Sequence, residues 1–158
     1  MPEKKIMSEN DAMIRLTAKC AASEYCRADI RKMMSRWELP EGVADRILKR
    51  LQDERYIDEQ RYAHAFVRDK FRYNHWGWVR IEQELRRRNI AQEFIEEAKA
   101  EISDEANLTE LRKIIDSKRR TVKGKNEYEV NAKLFRFALS RGFSYSDINE
   151  VLHTDIEE

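Results

Sequence analysis

The sequence predicts an all-α protein, built as three tandem three-helix, helix-turn-helix-like repeats in an elongated, curved array. Three observations predict it. The chain has 158 residues but only 4 Gly and 2 Pro, and both prolines lie at or before position 40. A chain so sparing of helix breakers is free to run as helix. Apolar residues recur at three- and four-residue spacing along most of its length. The pattern also repeats. Ile30, Met34, Leu39, Val43 and Ile47 are followed 51 positions later by Ile81, Leu85, Ile90, Phe94 and Ala98. A drifting third copy reads Leu134, Ala138, Phe143 and Ile148. Units of three short helices have too little core alone and complete it by stacking.

Nine helices are expected in order. The first covers roughly 10–22 and the second roughly 26–37. The third starts at Pro40, which is pre-organised for a first helical position. It buries Val43, Ala44, Ile47, Leu48 and Leu51. The fourth opens at Asp58, a good N-cap, with Tyr62, Ala63, Phe66 and Val67 inward. The fifth opens near Gly77, with Trp78, Ile81 and Leu85 inward. The sixth runs roughly 91–102 on Phe94, Ile95, Ala98 and Ile102. Asn107, with Glu110 three residues on, announces the seventh as a capping box. Its stripe is Leu108, Leu111, Ile114 and Ile115, and Gly124 ends or follows it. The eighth spans roughly 126–141 around Tyr128, Leu134, Phe137 and Ala138, with Gly142 as its C-cap. Ser144 caps the ninth, which buries Ile148, Val151 and Leu152. The repeats then divide at 10–55, 56–104 and 105–156.

Composition narrows the function classes. Hydrophobic residues are 41% and charged residues 39%, enough for a core beneath an unusually ionic surface. No run of about 18 apolar residues offers a transmembrane helix, and the N-terminal dozen lacks the apolar centre of a secretion signal. Cys20 and Cys26 form neither a CxxC nor a disulfide framework, so they read as buried or half-buried thiols in a reducing cytoplasm. The formal net charge of +1 hides strong zoning. Residues 61–90 hold eight Arg/Lys against three acids, 91–110 one against seven, and 111–125 seven against one. Blocks of that size suggest separate faces for separate partners, although a solvated helix face can carry such a run with no partner at all.

No catalytic constellation is visible. His64, His75 and His153 are scattered, and no HExxH, zinc-spaced Cys/His set or Gly-rich phosphate loop occurs. The chain is read as a non-enzyme with no cofactor and no metal.

Positions 56–90 carry the strongest motif. They combine a packed helical hairpin with a one-sided cationic coat of Arg61, Arg68, Lys70, Arg72, Arg80, Arg86, Arg87 and Arg88. Tyr56-Ile57-Asp58-Glu59, Tyr62-Ala63, Phe66-Val67, Gly77, Arg80-Ile81, Leu85 and Ile90 resemble the RecX family, the regulators of the bacterial recombinase RecA. The resemblance extends over about 10–155 and is strongest over 47–102. Asn89 stands where the family usually has Gly, and Asn tolerates the left-handed conformation required there. The first repeat departs more, with Trp37-Glu38 at a common Gly position.

The resemblance implies tandem three-helix repeats. It also implies a monomer that lies along the RecA–single-strand DNA filament and lowers its ATP hydrolysis, strand exchange or growth. The residues expected to make filament or DNA contact are Arg68, Arg72, Arg80, Arg86 and Arg87, then Lys118, Arg119 and Arg120. Contact with single-strand and duplex DNA is expected to be weak and non-specific, through phosphates. The acidic Glu93, Glu96, Glu97, Glu101, Asp104 and Glu105 would face a basic protein surface. Two other classes remain open. One is a stand-alone helix-turn-helix DNA-binding protein, with helix 77–88 in a groove and Arg80, Arg86, Arg87 and Arg88 facing DNA. The other is a helical scaffold unrelated to DNA. Phe71, Tyr73, Trp76 and Trp78 can stack on bases, but the preferred reading puts Phe71 and Trp78 in the core and Trp76 against the start of the fifth helix.

Overall fold

A computed structural model describes residues 5–157, with side chains from position 7 to 153. The helices are α1 (Glu9–Ala22), α2 (Arg27–Met34), α3 (Val43–Asp53), α4 (Glu59–Arg72), α5 (Trp78–Arg87) and α6 (Gln92–Ala98), the last continued by a 3-10 turn over Lys99–Glu101. Then come α7 (Asp104–Arg119), α8 (Glu127–Ser140) and α9 (Tyr145–Glu157). The all-α expectation holds apart from one short pairing. β1 (Lys5–Ile6) runs parallel to β2 (Trp37–Glu38), Lys5 beside Trp37 and Ile6 beside Glu38. This pairing falls in the repeat that lacks the usual Gly at its break.

Short polar side chains open most helices as cap chemistry requires. Ser8, Asp58, Ser103 and Asn126 each accept a hydrogen bond from the backbone N–H three residues on. Ser144 does the same for Asp147 at 3.1 Å. Three sequence expectations are corrected here. α3 begins after Gly42, whose left-handed φ of 81° interrupts any helix starting at Pro40; the Pro40 carbonyl instead closes a turn by accepting from the Val43 N–H. α7 begins three residues before Asn107, because Ser103 caps it with Asp104 and Glu105 in its first turn. The Asn107 amide donates to Asp147 Oδ2 at 2.9 Å and ties α7 to α9. Tyr128 is 84% exposed rather than buried, since six residues before Leu134 it points about 120° round the helix from the stripe that Leu134 and Ala138 define.

The buried side chains form three clusters in chain order. The first centres on Leu16, Ile30, Ile47, Leu48 and Leu51. The second centres on Val67, Ile81, Leu85 and Ile95, and the third on Leu111, Ile115, Leu134 and Ile148. Burying that much branched aliphatic surface, at roughly 25 cal/mol per Å², is the main drive for each unit. The break before the third helix is built the same way in two repeats. Ile90 N–H reaches back to the Leu85 carbonyl and Asn89 N–H to that of Arg86; Phe143 and Gly142 do the same with Ala138 and Leu139. This is a Schellman turn, with Asn89 (φ 59°) and Gly142 (φ 96°) in the left-handed position. Arg55 (φ 61°) ends α3 by the same device.

Successive repeats dock by one rule: the N-terminal end of the second helix sits on the next unit. From α2, Cys26 is fully buried in the second cluster and Ala28 packs against it. Arg27 N–H donates to Glu59 Oε2 at 3.4 Å, and the Arg61–Glu24 ion pair (2.6 Å) closes the rim. From α5, Gly77 N–H donates to the Arg141 carbonyl at 2.8 Å and Val79 N–H to that of Gly142 at 2.9 Å.

Candidate functional site

The second and third repeats leave a cleft of about 920 Å³ between them. One wall is the C-terminal half of α4, where Arg68, Phe71 and Arg72 follow the buried stripe that ends at Val67; His75 lies just beyond the helix. The other wall is α7. Its inward stripe is Leu111 and Ile115, so Glu110, Lys113 and Ser117, at three- and four-residue spacing, project along an adjoining face into the cleft, with Thr121 of the following turn beyond them. Phe137 of α8 and Arg141, which caps that helix, form the floor, with Lys118 beside them. Five Lys or Arg thus face two acids, Glu101 and Glu110.

Both acids are committed to neighbours. Glu101 Oε1 takes His64 Nδ1 at 2.8 Å and Arg68 Nη1 at 3.3 Å. Glu110 pairs with Nδ1 of His75, joining the two repeats across the cleft. His75 holds a left-handed φ of 59° in that pose. Arg72, Lys113, Lys118 and Arg141 have no carboxylate partner among the described residues. Lys118 and Arg141 share the ring of Phe137, each 5.1 Å from its centroid. Two cations on one ring, without a counter-charge, make a place where an anion relieves repulsion. Arginine forks suit phosphate or carboxylate oxygens, and the Ser117 and Thr121 hydroxyls add neutral donors.

Of the residues singled out from sequence, Arg68, Arg72 and Lys118 come together here. Arg119 and Arg120 follow at the end of α7, outside the lining. Arg80 lies at the repeat junction, 4.1 Å above the Trp76 ring, with Nη1 donating to the Ser140 carbonyl at 3.4 Å. Arg86 and Arg87 stand elsewhere on α5. They are exposed and paired within their own helix, to Glu82 at 3.1 Å and Glu84 at 3.4 Å.

Arg88 does not face outward with them. It folds over the Phe66 ring at 4.9 Å and donates to Glu84 Oε2 at 2.8 Å. That hydrogen bond holds the Glu84 carboxyl below its ordinary pKa. The acidic block also divides instead of forming one face. Glu93, Asp104 and Glu105 occupy helix first turns, Glu101 serves the cleft, and Glu97 accepts from Gln60 Nε2 at 2.6 Å.

The aromatics fall on the packing side. Phe71, Trp76 and Trp78 lie against the second cluster, while Tyr73 is 70% exposed. Trp76 meets Phe66 edge-on at 6.4 Å and has Lys70 at 5.0 Å and Arg80 at 4.1 Å over its ring. Sequence reading missed Lys113, Ser117, Thr121 and Arg141. The periodic set 110, 113, 117, continued by 121 just past the helix end, was the available signal for the first three; Arg141 joins only through the fold.

No helix among the described residues is long and apolar enough to cross a membrane. Two family models match the chain: RecX, second three-helix domain, over 58–98, and RecX, third three-helix domain, over 104–152. A Regulatory protein RecX from Clostridium botulinum is 31% identical over 105 residues, covering 65% of this chain and 48% of that protein. One from Clostridium acetobutylicum is 27% identical over 128 residues, covering 78% and 59%. The chain therefore spans about half to three-fifths of the length of these curated relatives. A crystal structure of regulatory protein RecX superposes with a TM-score of 0.80 at 22% identity, over 91% of this chain and 74% of that one. RecX from Lactobacillus salivarius gives 0.79 at 16% identity, over 92% and 95%. The repeat architecture, the shared motif and both domain matches agree: the chain belongs to the RecX family of regulatory proteins.

Proposed function

We propose that this protein is a non-enzymatic, cytoplasmic inhibitor of the RecA recombinase. It acts as a monomer without a cofactor. It lies on the RecA–single-strand DNA filament with the α4–α7 cleft toward the phosphate backbone, and lowers ATP hydrolysis, strand exchange or growth. The convergence of Arg72, Lys113, Lys118 and Arg141 without carboxylate partners is the observation that supports this most. Such a patch binds phosphate weakly alone at cellular salt and well when a protein contact helps. A body that bridges neighbouring protomers resists the rearrangement that couples ATP turnover to strand exchange. The division into three units at 10–55, 56–104 and 105–156 belongs to the same proposal, with the second and third flanking the cleft.

A stand-alone helix-turn-helix reader has less support. Such readers aim the N-terminal residues of the recognition helix at base edges, and here that end of α5 is tied through Gly77 and Val79 to Arg141 and Gly142. The test is DNA-stimulated ATP hydrolysis by the cognate recombinase on single-strand DNA, with this protein titrated in. Inhibition well below one protein per recombinase indicates capped or blocked extension. Inhibition near one-to-one indicates occupancy of the filament groove. No inhibition, beside tight binding to duplex DNA alone, overturns the proposal.

A further inference from the structure

We infer that the outer face of the third repeat, between α8 and α9, docks an apolar helical segment of a partner protein carrying a carboxylate for Arg136. Taking that partner to be a recombinase protomer rests on the function proposed above. The face continues the repeat-to-repeat interface. In register, Cys26 and Ala28 of the first repeat correspond to Gly77 and Val79 of the second and to Val130 and Ala132 of the third. The first pair is covered by the second repeat and the second pair is bonded to the third. Among the described residues no other unit covers the third counterpart: Val130 packs into its own core and Ala132 is half-buried, while the neighbouring Tyr128 and Tyr145 are 84% and 65% exposed.

The face is shaped for side chains rather than backbone. Asn126 already accepts the Glu129 N–H at 2.9 Å, so the start of α8 is capped within its own repeat. Tyr145 stands edge-on to Phe135, ring centroids 4.7 Å apart. With Tyr128, Ala132 and Leu152 they border a hollow of about 500 Å³, flanked by the amides of Asn131 and Asn149. Exposed tyrosines beside an arginine are the usual anchors of protein interfaces. Arg136 is exposed and has no carboxylate partner among the described residues. A nucleic-acid strand fits less well. Arg136 is the one Lys or Arg in the lining, and Glu127, Glu129 and Glu150 stand on the same two helices. Head-to-tail stacking of copies is also disfavoured, because β1 already occupies the break between α2 and α3 that would receive the next molecule.

The test compares the full-length wild type, Tyr128→Ser/Tyr145→Ser and Arg136→Glu for binding to cognate RecA without DNA and to a single-strand oligonucleotide alone. Both variants are expected to lose about tenfold or more in affinity for RecA, while oligonucleotide binding and melting temperature stay unchanged. Unchanged RecA affinity in either folded variant overturns the inference and leaves the proposed function standing. Equal loss on the oligonucleotide overturns it in favour of a nucleic-acid face. A wild-type dimer that the variants convert to monomer in sedimentation overturns it in favour of self-association. Failure of the wild type to bind RecA at all overturns both proposals together.

Discussion

Gly77 and Gly142 meet backbone to backbone, with no room for a methyl group between them. A Cβ on Gly77 would lie 2.5 Å from the Gly142 carbonyl oxygen; one on Gly142 would lie 2.3 Å from Arg80 Cβ and 2.8 Å from Arg80 N. Gly142 also holds φ at 96°. The two glycines let the second and third repeats share hydrogen bonds and keep both cleft walls at fixed separation. Gly142→Ala therefore combines left-handed strain with a backbone clash, and is expected to cost about 2 kcal/mol or more. Gly77→Ala carries the clash alone. Gly42→Ala is the control: φ is 81° but nothing lies within 4 Å, so the cost is expected near 1 kcal/mol. Urea unfolding of the three variants checks the order, and equal costs at 42 and 142 would show that the junction is loose.

The cleft makes a quantitative prediction about salt. Lys113→Glu/Lys118→Glu removes two cations that have no carboxylate partner among the described residues. If both neutralise phosphates of a single strand, the slope of log affinity against log salt falls by about 1.4, at 0.7 per contact. Arg86→Glu/Arg87→Glu acts outside the cleft and breaks exposed pairs within α5 and the Arg86–Gln92 hydrogen bond to α6, so a smaller change in slope is expected. Oligonucleotide titrations between 50 and 200 mM salt, the range in which such contacts are felt, decide between them. A larger effect from the α5 pair would move the site to α5.

The Arg86–Arg87–Arg88 run contains two different kinds of residue, and stability separates them. Arg86 and Arg87 side chains are 56% and 77% exposed, whereas Arg88 is 29% exposed and caps Phe66. Arg88→Glu is expected to cost about 2 kcal/mol, through lost packing and a new repulsion with Glu84. Glu at 86 or 87 should stay within about 0.5 kcal/mol of wild type. Denaturation midpoints of the three single variants test this; equal midpoints would mean that Arg88 is as free as its neighbours.

What could be read from sequence followed the strength of each local signal. The hydrophobic stripes repeat at 51-residue spacing, so Ile30 with Ile81 and Met34 with Leu85 mark two of the cores in the sequence itself. Asp58, Gly77, Asn89 and Gly142 announced their roles because caps and left-handed turns admit few residue types. Pro40 and Asn107 misled because proline and asparagine suit turns and helix interiors with tertiary partners as well as helix starts. The site was half legible. Arg68 and Arg72 could be read from α4, but whether they meet Lys113 and Arg141 depends on how α7 crosses, which no local pattern encodes. Arg88 looked like its neighbours because a one-residue step of 100° decides between solvent and Phe66.

The two cysteines test whether the first repeat stays docked. Cys26 is fully buried in the second cluster. Burial is the chief cause that pushes its thiol pKa up to about 11. At pH 8 about one molecule in a thousand then carries the thiolate, the reactive form. Cys20 is also raised, again chiefly by burial, but its side chain is only partly covered. Native protein treated with a thiol-specific disulfide reagent at pH 8 should therefore release one equivalent of chromophore, from Cys20, and a second only on unfolding. Cys20→Ser should release none while folded. Because Cys26 belongs to the first repeat yet fills the second repeat's core, its labelling rate measures separation of the two units. A rate equal to that of global unfolding would show that they open together. Rapid labelling of Cys26 in the folded Cys20→Ser variant would show that the first repeat detaches on its own, and would contradict the docking rule on which the stacked fold depends.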